Sequence, residues 1–202
     1  MVQTILPPSE KIAPFLMPDL TSLRLTAAEF EQLCRDNPEL RLELTSTGGL
    51  IVMPPAGSKT GQRNANLNRQ VSVWAHKDDT GLAFDSSTGF TLPNRAIRSP
   101  DASWVRRNVW DALSEAEQER FAPLCPDFVI ELRSSSDPLK ALKQKMQEYL
   151  NNGTQLAWLI DPHARSVYIY RRGKEVEVLT DAASISADPI LPGFELQLAE
   201  LW

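Results

Sequence analysis

Apolar and polar positions follow two different periods along the chain, and each period predicts one kind of element. Segments with helical spacing, or with helix-capping residues at their start, lie at 26–36, 58–76, 114–120 and 138–152. Segments with the alternation or the short apolar runs typical of strands lie at 40–44, 50–53, 81–92, 101–105, 127–133, 156–160, 167–170 and 175–179. This order predicts an α/β (α+β) domain whose mixed central sheet is flanked by helices, with one hairpin near each end. The tail after residue 180 is rich in proline and is predicted to be mostly loop.

Composition and charge narrow the class of protein. The chain has 202 residues, of which 42% are hydrophobic, and a net charge of −5. These values predict one globular domain over residues 25–202, preceded by a Pro-rich N-terminal arm over residues 1–24. No apolar stretch approaches the roughly 20 residues that span a bilayer, and no secretory signal is expected. The two cysteines have no metal-ligand spacing and indicate reduced thiols, so we expect a cytoplasmic protein.

One carboxylate falls where the pattern predicts full burial. Glu131 interrupts the apolar run that begins at Phe128, in a strand predicted to be covered on both faces. Burying a carboxylate costs several kcal/mol unless the group is paired, protonated or bound to a metal. A structural ion pair with Arg133 or Lys145 and a functional metal ligand are both compatible with this position.

Two further polar residues flank this strand in the sequence. Asp101 follows Pro100 at the head of the preceding predicted strand, and Lys145 lies in the following helix. At about 100° per residue, Lys145 is about 60° from Leu142 and about 40° from Tyr149, so its stem can run along the buried stripe. Adjacent carboxylates repel each other, and a divalent cation removes this repulsion while it orients a phosphate. A lysine beside two such carboxylates is suited to phosphodiester hydrolysis.

These residues lie in segments that resemble a known nuclease superfamily. Pro100-Asp101 followed by Glu131-Leu132-Arg133 resembles the Pro-Asp…(Asp/Glu)-X-Lys pattern, also written PD-(D/E)XK. More closely, the chain resembles the Uma-type restriction endonuclease family over about residues 26–195. The segments that carry this resemblance are 42–55, 99–105, 126–134 and 145–162.

The resemblance implies a restriction-endonuclease-like core in which Asp101 and Glu131 bind Mg²⁺ or Mn²⁺. It also implies endonucleolytic hydrolysis of DNA phosphodiester bonds through a metal-activated water. The chain departs from the superfamily pattern at Arg133, where that pattern has lysine, and the catalytic lysine of the family falls on Lys145. Arg133 then either takes over part of the lysine's electrostatic role or acts as an ion-pair partner that weakens metal binding. Glu43 matches a further acidic position of the family and is expected to orient a metal-bound water.

The sequence also suggests residues that contact the substrate, an oligomeric state and two alternative functions. Arg133, Arg63 and Lys143 are candidate contacts to substrate phosphates. Duplex cleavage favours a homodimer, because one active site cuts one strand. Two alternatives stay open at this point. One is a catalytically inactive nuclease-fold protein that binds nucleic acid or a protein, and the other is a hydrolase of small phosphoesters.

Overall fold

The structure of the chain is a computed structural model that describes residues 22–202. Residues 1–21 of the predicted Pro-rich arm lie outside the described residues. The helices are α1 (Ala27–Asp36), α2 (Ser58–Asp78), α3 (Arg107–Trp110), α4 (Glu115–Gln118) and α5 (Leu139–Asn152). The strands are β1 (Arg41–Leu44), β2 (Leu50–Met53), β3 (Gly81–Asp85), β4 (Phe90–Thr91), β5 (Ile97–Arg98), β6 (Ala102–Arg106), β7 (Phe128–Leu132), β8 (Leu156–Asp161), β9 (Ser166–Arg171), β10 (Glu177–Thr180), β11 (Ser184–Ser186) and β12 (Glu195–Gln197). Within residues 22–202, no helix combines the length and the apolar character needed to cross a membrane.

Local side-chain chemistry explains where two of the helices begin. Thr26 and Glu29 form the predicted capping box of α1, in which the Thr26 backbone N–H donates to Oε2 of Glu29 at 2.8 Å. The start of α5 differs by one residue from the prediction, which places Asp137 at the N-cap. The Asp137 carboxylate instead accepts a hydrogen bond from the Ser134 backbone and closes the preceding turn. Pro138 therefore takes the N-cap position.

Most of the strands belong to two sheets. The central sheet has the order β10-β9-β8-β7-β6-β3, and in the described part of the chain only its β7–β8 pair is parallel. α5 connects β7 to β8, because parallel neighbours need a crossover. The second sheet has the order β2-β1-β5-β4, and β11 pairs with β12. This architecture confirms the predicted mixed sheet with flanking helices.

The strand β7 separates two layers of the core. Phe128 and Ile130 face a cluster that contains the buried side of α2, whereas Val129 faces a cluster that contains α5. Because side chains alternate along a strand, Glu131 lies on the α5 side. A third cluster, built around Phe30, joins α1 to the second sheet. The sheet therefore directs the carboxylate of Glu131 toward α5.

The tail after β10 is mostly irregular, as the sequence predicts, but it also packs against the core. Its buried apolar residues are Ile185, Ala187, Leu191, Phe194, Leu196, Leu198 and Leu201. They belong to the same core cluster as the inner side of α2. The prolines and the glycine of this segment do mark turns, but the apolar residues between them close one face of the central sheet. The prediction of a mostly irregular tail is therefore confirmed, but the sequence pattern did not show the strand pair β11–β12 or the contribution of the tail to the core.

Phe194 provides the aromatic contacts that attach the tail to the core. Its ring centroid lies 5.4 Å from that of Trp74, 6.1 Å from Trp158 and 6.2 Å from Phe128. We expect Phe194→Ala to lower the free energy of unfolding by about 3–5 kcal/mol, because it removes a buried ring and leaves a cavity. Val178→Ala, at an exposed position of β10, is the control and should cost less than about 0.5 kcal/mol. Urea denaturation measures both changes, and a loss below about 1 kcal/mol for Phe194→Ala would contradict this role of the tail.

Candidate active site

Asp101 and Glu131 are neighbours on adjacent strands. β6 and β7 are antiparallel with Ala102 opposite Ile130, so Asp101, one residue before β6, lies across from Glu131. Residues opposite each other in paired strands point to the same face of the sheet. The Leu132 backbone N–H donates to Oδ2 of Asp101 at 2.8 Å, which holds the aspartate at the end of the sheet. Both carboxylates line a cleft of about 230 Å³.

Lys145 connects the central sheet to the second sheet. It lies in the middle of α5, and its Nζ is 2.8 Å from Oε1 of Glu131 and 2.7 Å from Oε1 of Glu43. Because Glu43 belongs to β1, one ammonium group bridges carboxylates of two sheets. Tyr149, one turn further along α5, donates its hydroxyl to Oε1 of Glu131 at 2.9 Å. The Lys145 side chain is only 13% exposed, so this bridge lies largely out of water.

Glu43 accepts hydrogen bonds from the protein on both of its oxygens. Oε1 accepts from the Ser99 backbone N–H at 2.9 Å, in addition to Lys145, and Oε2 accepts from Nη1 of Arg98 at 3.0 Å. Arg98 belongs to β5, and its guanidinium also pairs with Glu148 of α5 at 2.6 Å. Glu43 is thus a fixed acceptor between two cations.

Burial and neighbouring charges control the protonation of the cluster. Burial raises the pKa of Glu131 from 4.5 to about 7, while Lys145 opposes the shift and Asp101 and Glu43 add to it. Burial also raises the pKa of Asp101, against the effect of its backbone hydrogen bond. For Glu43, the burial effect is outweighed by Lys145 and Arg98, so its pKa is lowered. Near neutral pH, Glu131 is therefore part protonated, and its proton is one that a cation can displace.

The cluster has more negative than positive formal charges. Three glutamates and two cations alternate in one chain of ion pairs, in the order Glu148, Arg98, Glu43, Lys145, Glu131. Asp101 adds a fourth carboxylate, which gives a formal excess of two negative charges, and the cleft-lining Arg41 and Asp137 offset each other. Within residues 22–202, Oδ1 of Asp101 and Oε2 of Glu131 accept no hydrogen bond. This excess charge and these two oxygens suit one divalent cation.

The protein ligands of such a cation would be few. In the described part of the chain, no group of three or more histidine, cysteine, aspartate or glutamate side chains is placed to hold a metal ion. Mg²⁺ commonly binds one or two protein carboxylates and fills its other positions with water and substrate phosphate oxygens. Asp101 and Glu131 fit that mode. They do not fit a zinc site, which requires three or four protein ligands.

Arg133 lies outside the cluster, although it follows Glu131 by only two residues. β7 ends at Leu132, and the guanidinium of Arg133 pairs through Nη1 with Asp161 at the end of β8, at 2.7 Å. Arg133 does not line the cleft and does not pair with Glu131. Of the two roles considered for Arg133, neither is seen in this geometry, because a different carboxylate neutralises it.

The other two candidate phosphate contacts also lie away from the cleft. Nζ of Lys143 is 4.1 Å from the ring centroid of Tyr168, on an exposed side of α5. Arg63 is buried on α2, and its Nε has no hydrogen-bond partner among the described residues. The structure therefore brings Glu43, Glu131 and Lys145 into direct contact, and places Asp101 in the same cleft.

Sequence reasoning missed Arg98 and Glu148. Arg98 lies in a strand of two residues, which is too short for a periodic pattern. Glu148 follows Lys145 by three residues on α5, and this i,i+3 spacing was the one signal that the two side chains share a face. The sequence predicts Tyr149 as a core residue. It is buried, and its hydroxyl additionally contacts Glu131.

The mixed sheet presents two carboxylates of adjacent strands, as the PD-(D/E)XK pattern implies, whereas the lysine beside them comes from the crossover helix and not from the strand position where that pattern has it. The Uma2 family, described as "Putative restriction endonuclease", matches residues 27–199. The chain therefore belongs to the Uma2 family. This match confirms the family that the motifs predict, and family membership supports a nuclease function.

One solved structure shows the same fold. The chain is similar to a protein whose crystal structure is described as a "putative nuclease belonging to DUF820 from Anabaena variabilis ATCC 29413", with a TM-score of 0.68 and 22% sequence identity. The similarity covers 81% of this chain and 90% of that chain, and it confirms the restriction-endonuclease-like fold. A cryo-EM structure of a DrdV–DNA complex is less similar, with a TM-score of 0.38 and 15% identity over 59% of this chain and 10% of that chain. No curated protein matches the chain significantly.

Glu131 makes the stability of the metal-free protein depend on pH. Folding raises the pKa of Glu131 from 4.5 to about 7, so the folded state binds more protons than the unfolded state between these values. Its contribution to stability is therefore lost as the pH rises from about 4.5 to about 7. We expect the free energy of unfolding of the wild type, minus that of Glu131→Gln, to fall across this window in EDTA.

Urea denaturation at a series of pH values measures this difference. Glu175→Gln, which changes an exposed glutamate next to β10, is the control and should give a flat difference. A Glu131→Gln difference that is constant or rises with pH would contradict the raised pKa.

Proposed function

We propose that the protein is an endonuclease that hydrolyses DNA phosphodiester bonds with Mg²⁺ or Mn²⁺ as cofactor. The observation that carries this proposal is the uncompensated charge of the cluster. Asp101 and Glu131 face one cleft, each has an oxygen that accepts no hydrogen bond from residues 22–202, and the surrounding network leaves a formal excess of two negative charges. A divalent cation would neutralise that excess, and these two residues would hold it.

The residues of the cluster have separate tasks in this proposal. When bound, the cation supplies charge neutralisation and lowers the pKa of water in the site. Asp101 and Glu131 would hold the cation in the cleft that they both line. Lys145 presents an ammonium at the same cleft, where it stabilises negative charge that develops on the phosphate. Glu43, fixed by Arg98, holds Lys145 in place. This positioning role replaces the expected contact of Glu43 with water.

Tyr149 orients the other side of the site. Its hydroxyl donates to the Glu131 oxygen that Lys145 also contacts, so Oε2 of Glu131 stays free for the cation. Burial, followed by the charges of Glu131 and Glu43, raises the pKa of Tyr149, so the hydroxyl keeps its proton. Tyr149 is therefore a positioning residue and does not act as a base at neutral pH.

The biological setting follows from the chemistry and the family. DNA is the proposed substrate because the family is described as restriction endonuclease, and because a cation site open to solvent can admit a phosphate. Each chain has one such cleft, so cleavage of both strands of a duplex would use a C2 homodimer. Cys34 and Cys125 are free thiols, which fits the reducing cytoplasm.

A second candidate is a catalytically inactive member of the fold that binds nucleic acid or a protein. The ion pairs of Lys145 favour it, because they already compensate much of the charge of Glu43 and Glu131. In that case the network would have a structural role alone. The two candidates differ in whether the wild type binds a divalent cation and cuts DNA.

Nicking of supercoiled plasmid tests the proposal. With Mn²⁺ or Mg²⁺, we expect the wild type to nick the plasmid and Asp101→Asn or Glu131→Gln to lower the rate at least about 100-fold, since each removes a cation ligand. Glu175→Gln is the control and should leave the rate unchanged. A wild type that does not nick, or nicking that persists in Glu131→Gln, would favour the inactive binding module.

Lys145→Met separates the role of the lysine from that of the carboxylates. It should lower the nicking rate by about the same factor while calorimetry still detects Mn²⁺ binding, because the free oxygens of Asp101 and Glu131 remain. Lys145→Arg, which keeps the charge, covers the case in which the methionine variant does not fold. Loss of Mn²⁺ binding in a folded Lys145→Arg protein would contradict the assignment.

A further inference from the structure

The active-site cleft continues into a longer groove. A depression of about 300 Å³ adjoins the cleft, and both are lined by Arg41, Ala56, Thr60 and Asp101. On the other side, a depression of about 410 Å³ shares Met53, Asp137, Leu142 and Lys145 with the cleft. The three depressions share lining residues and therefore adjoin one another, and we refer to them together as the groove. Such a groove can hold a nucleic-acid strand on both sides of the reacting phosphate.

Three cations line this groove, and two of them are already neutralised. Lys145 pairs with Glu43 and Glu131, and Arg98 pairs with Glu43 and Glu148. Arg41 forms no ion pair with any residue of the described range 22–202. It is thus the one groove-lining cation of that range that forms no ion pair, although its charge acts on Asp101, where it opposes the raised pKa.

A chain of hydrogen bonds links Arg41 to Asp101. Nη2 of Arg41 donates to the Ser86 carbonyl at 2.8 Å, and Nδ2 of Asn64 contacts the Ser86 hydroxyl at 3.2 Å. Nδ2 of Asn68 in turn donates to the Asp101 carbonyl at 2.8 Å and contacts Oδ1 of Asn64 at 3.1 Å. The guanidinium is therefore fixed relative to the candidate cation ligand. Within residues 22–202, its Nε and Nη1 donate no hydrogen bond, so they can bind an added acceptor.

The amino end of α2 adds positive potential on the same side. Its first residues border the groove, with Ala56, Gly57 and Thr60 in the lining. The N-cap residue Gly57 has no side chain to cap the helix, and the first turn contains no acidic residue. The unsatisfied N–H groups of a helix of 21 residues carry a partial positive charge there. An anion at this place would contact Arg41 and lie near the start of the helix.

We propose that Arg41 binds a phosphate of the nucleic-acid backbone next to the reacting phosphate, in the section of the groove lined by Thr60 and Asn64. This assignment rests on the proposed nuclease function, since it names a substrate contact of the same site. Arg41 replaces the three cations that the sequence suggested for this role. It is a contact to the backbone and carries no sequence specificity.

DNA binding that does not depend on the metal tests this proposal. The background is Asp101→Asn/Glu131→Gln, which removes the proposed cation ligands and their repulsion of DNA. Adding Arg41→Gln to it should weaken binding of a short fluorescein-labelled DNA about 10-fold and lower the slope of log affinity against log salt by about 0.7–0.9. Adding Arg41→Lys should restore most of the slope. Fluorescence anisotropy over a salt series measures both quantities.

Arg69→Gln in the same background is the matched control. Arg69 is an exposed arginine of α2 that pairs with Glu200 and does not line the groove, so both quantities should stay unchanged. Equal affinity and slope with and without Arg41→Gln would overturn the proposal, as would the absence of DNA binding by the background protein at low salt. If Arg41→Gln lowers the melting temperature but leaves the slope of log affinity against log salt unchanged, Arg41 has only a structural role, in which it joins β1 to the turn after β3. Failure of the wild type to nick plasmid would instead reject the nuclease function and leave this binding result standing.

Discussion

The position of the site depends on one buried ammonium group. Lys145 of α5 contacts Glu131 of the central sheet and Glu43 of the second sheet, and thereby joins three elements that are distant in sequence. Charges out of water are costly, and each of these carboxylates relies on the lysine for compensation. The raised pKa of Lys145 has the same origin, because the two glutamates outweigh the effect of burial. The second sheet therefore keeps its place on the α5 side through a polar contact as well as through its apolar cluster.

Even with this contact, the cluster carries fewer positive than negative formal charges. Arg98 and Lys145 cannot neutralise four carboxylates, and burial, together with the charges of Asp101 and Glu43, raises the pKa of Glu131 to about 7. A network with this charge imbalance stabilises a fold poorly, since well-packed apolar residues in its place would stabilise the fold as much or more. The same imbalance favours binding of a cation, because the binding free energy of the metal offsets the repulsion between the carboxylates. Binding of the cation also displaces a proton. The imbalance thus links the energetics of the fold to the proposed chemistry.

Much of the fold could be predicted because it depends on local signals. The capping box at Thr26 and Glu29 and the apolar stripe of α5 are visible in the sequence, and both helices form where they indicate. Asp101 and Glu131 could be predicted as partners because Asp101 directly precedes one predicted strand and Glu131 lies in the next. The packing of the tail on the core could not, because its apolar residues are separated by proline and glycine and acquire a common face only when Phe194 packs on Trp158.

The polar contacts of the site were harder to predict than its elements. Arg98 is linked to Glu43 across 55 positions of sequence, and no periodicity reports such a contact. Arg133 pairs with Asp161 because β7 and β8 are parallel neighbours that end together, a fact of topology rather than of local sequence. Arg41 forms no ion pair with any residue between 22 and 202, which only the structure can show.

The most direct test of the central claim is where a divalent cation binds. Anomalous diffraction from crystals grown with Mn²⁺ should show one peak within coordination distance of Oδ1 of Asp101 and Oε2 of Glu131. The peak should disappear in Glu131→Gln crystals grown under the same conditions. A peak elsewhere, or none at saturating Mn²⁺, would contradict the claim that the excess charge of this cluster is a cation site.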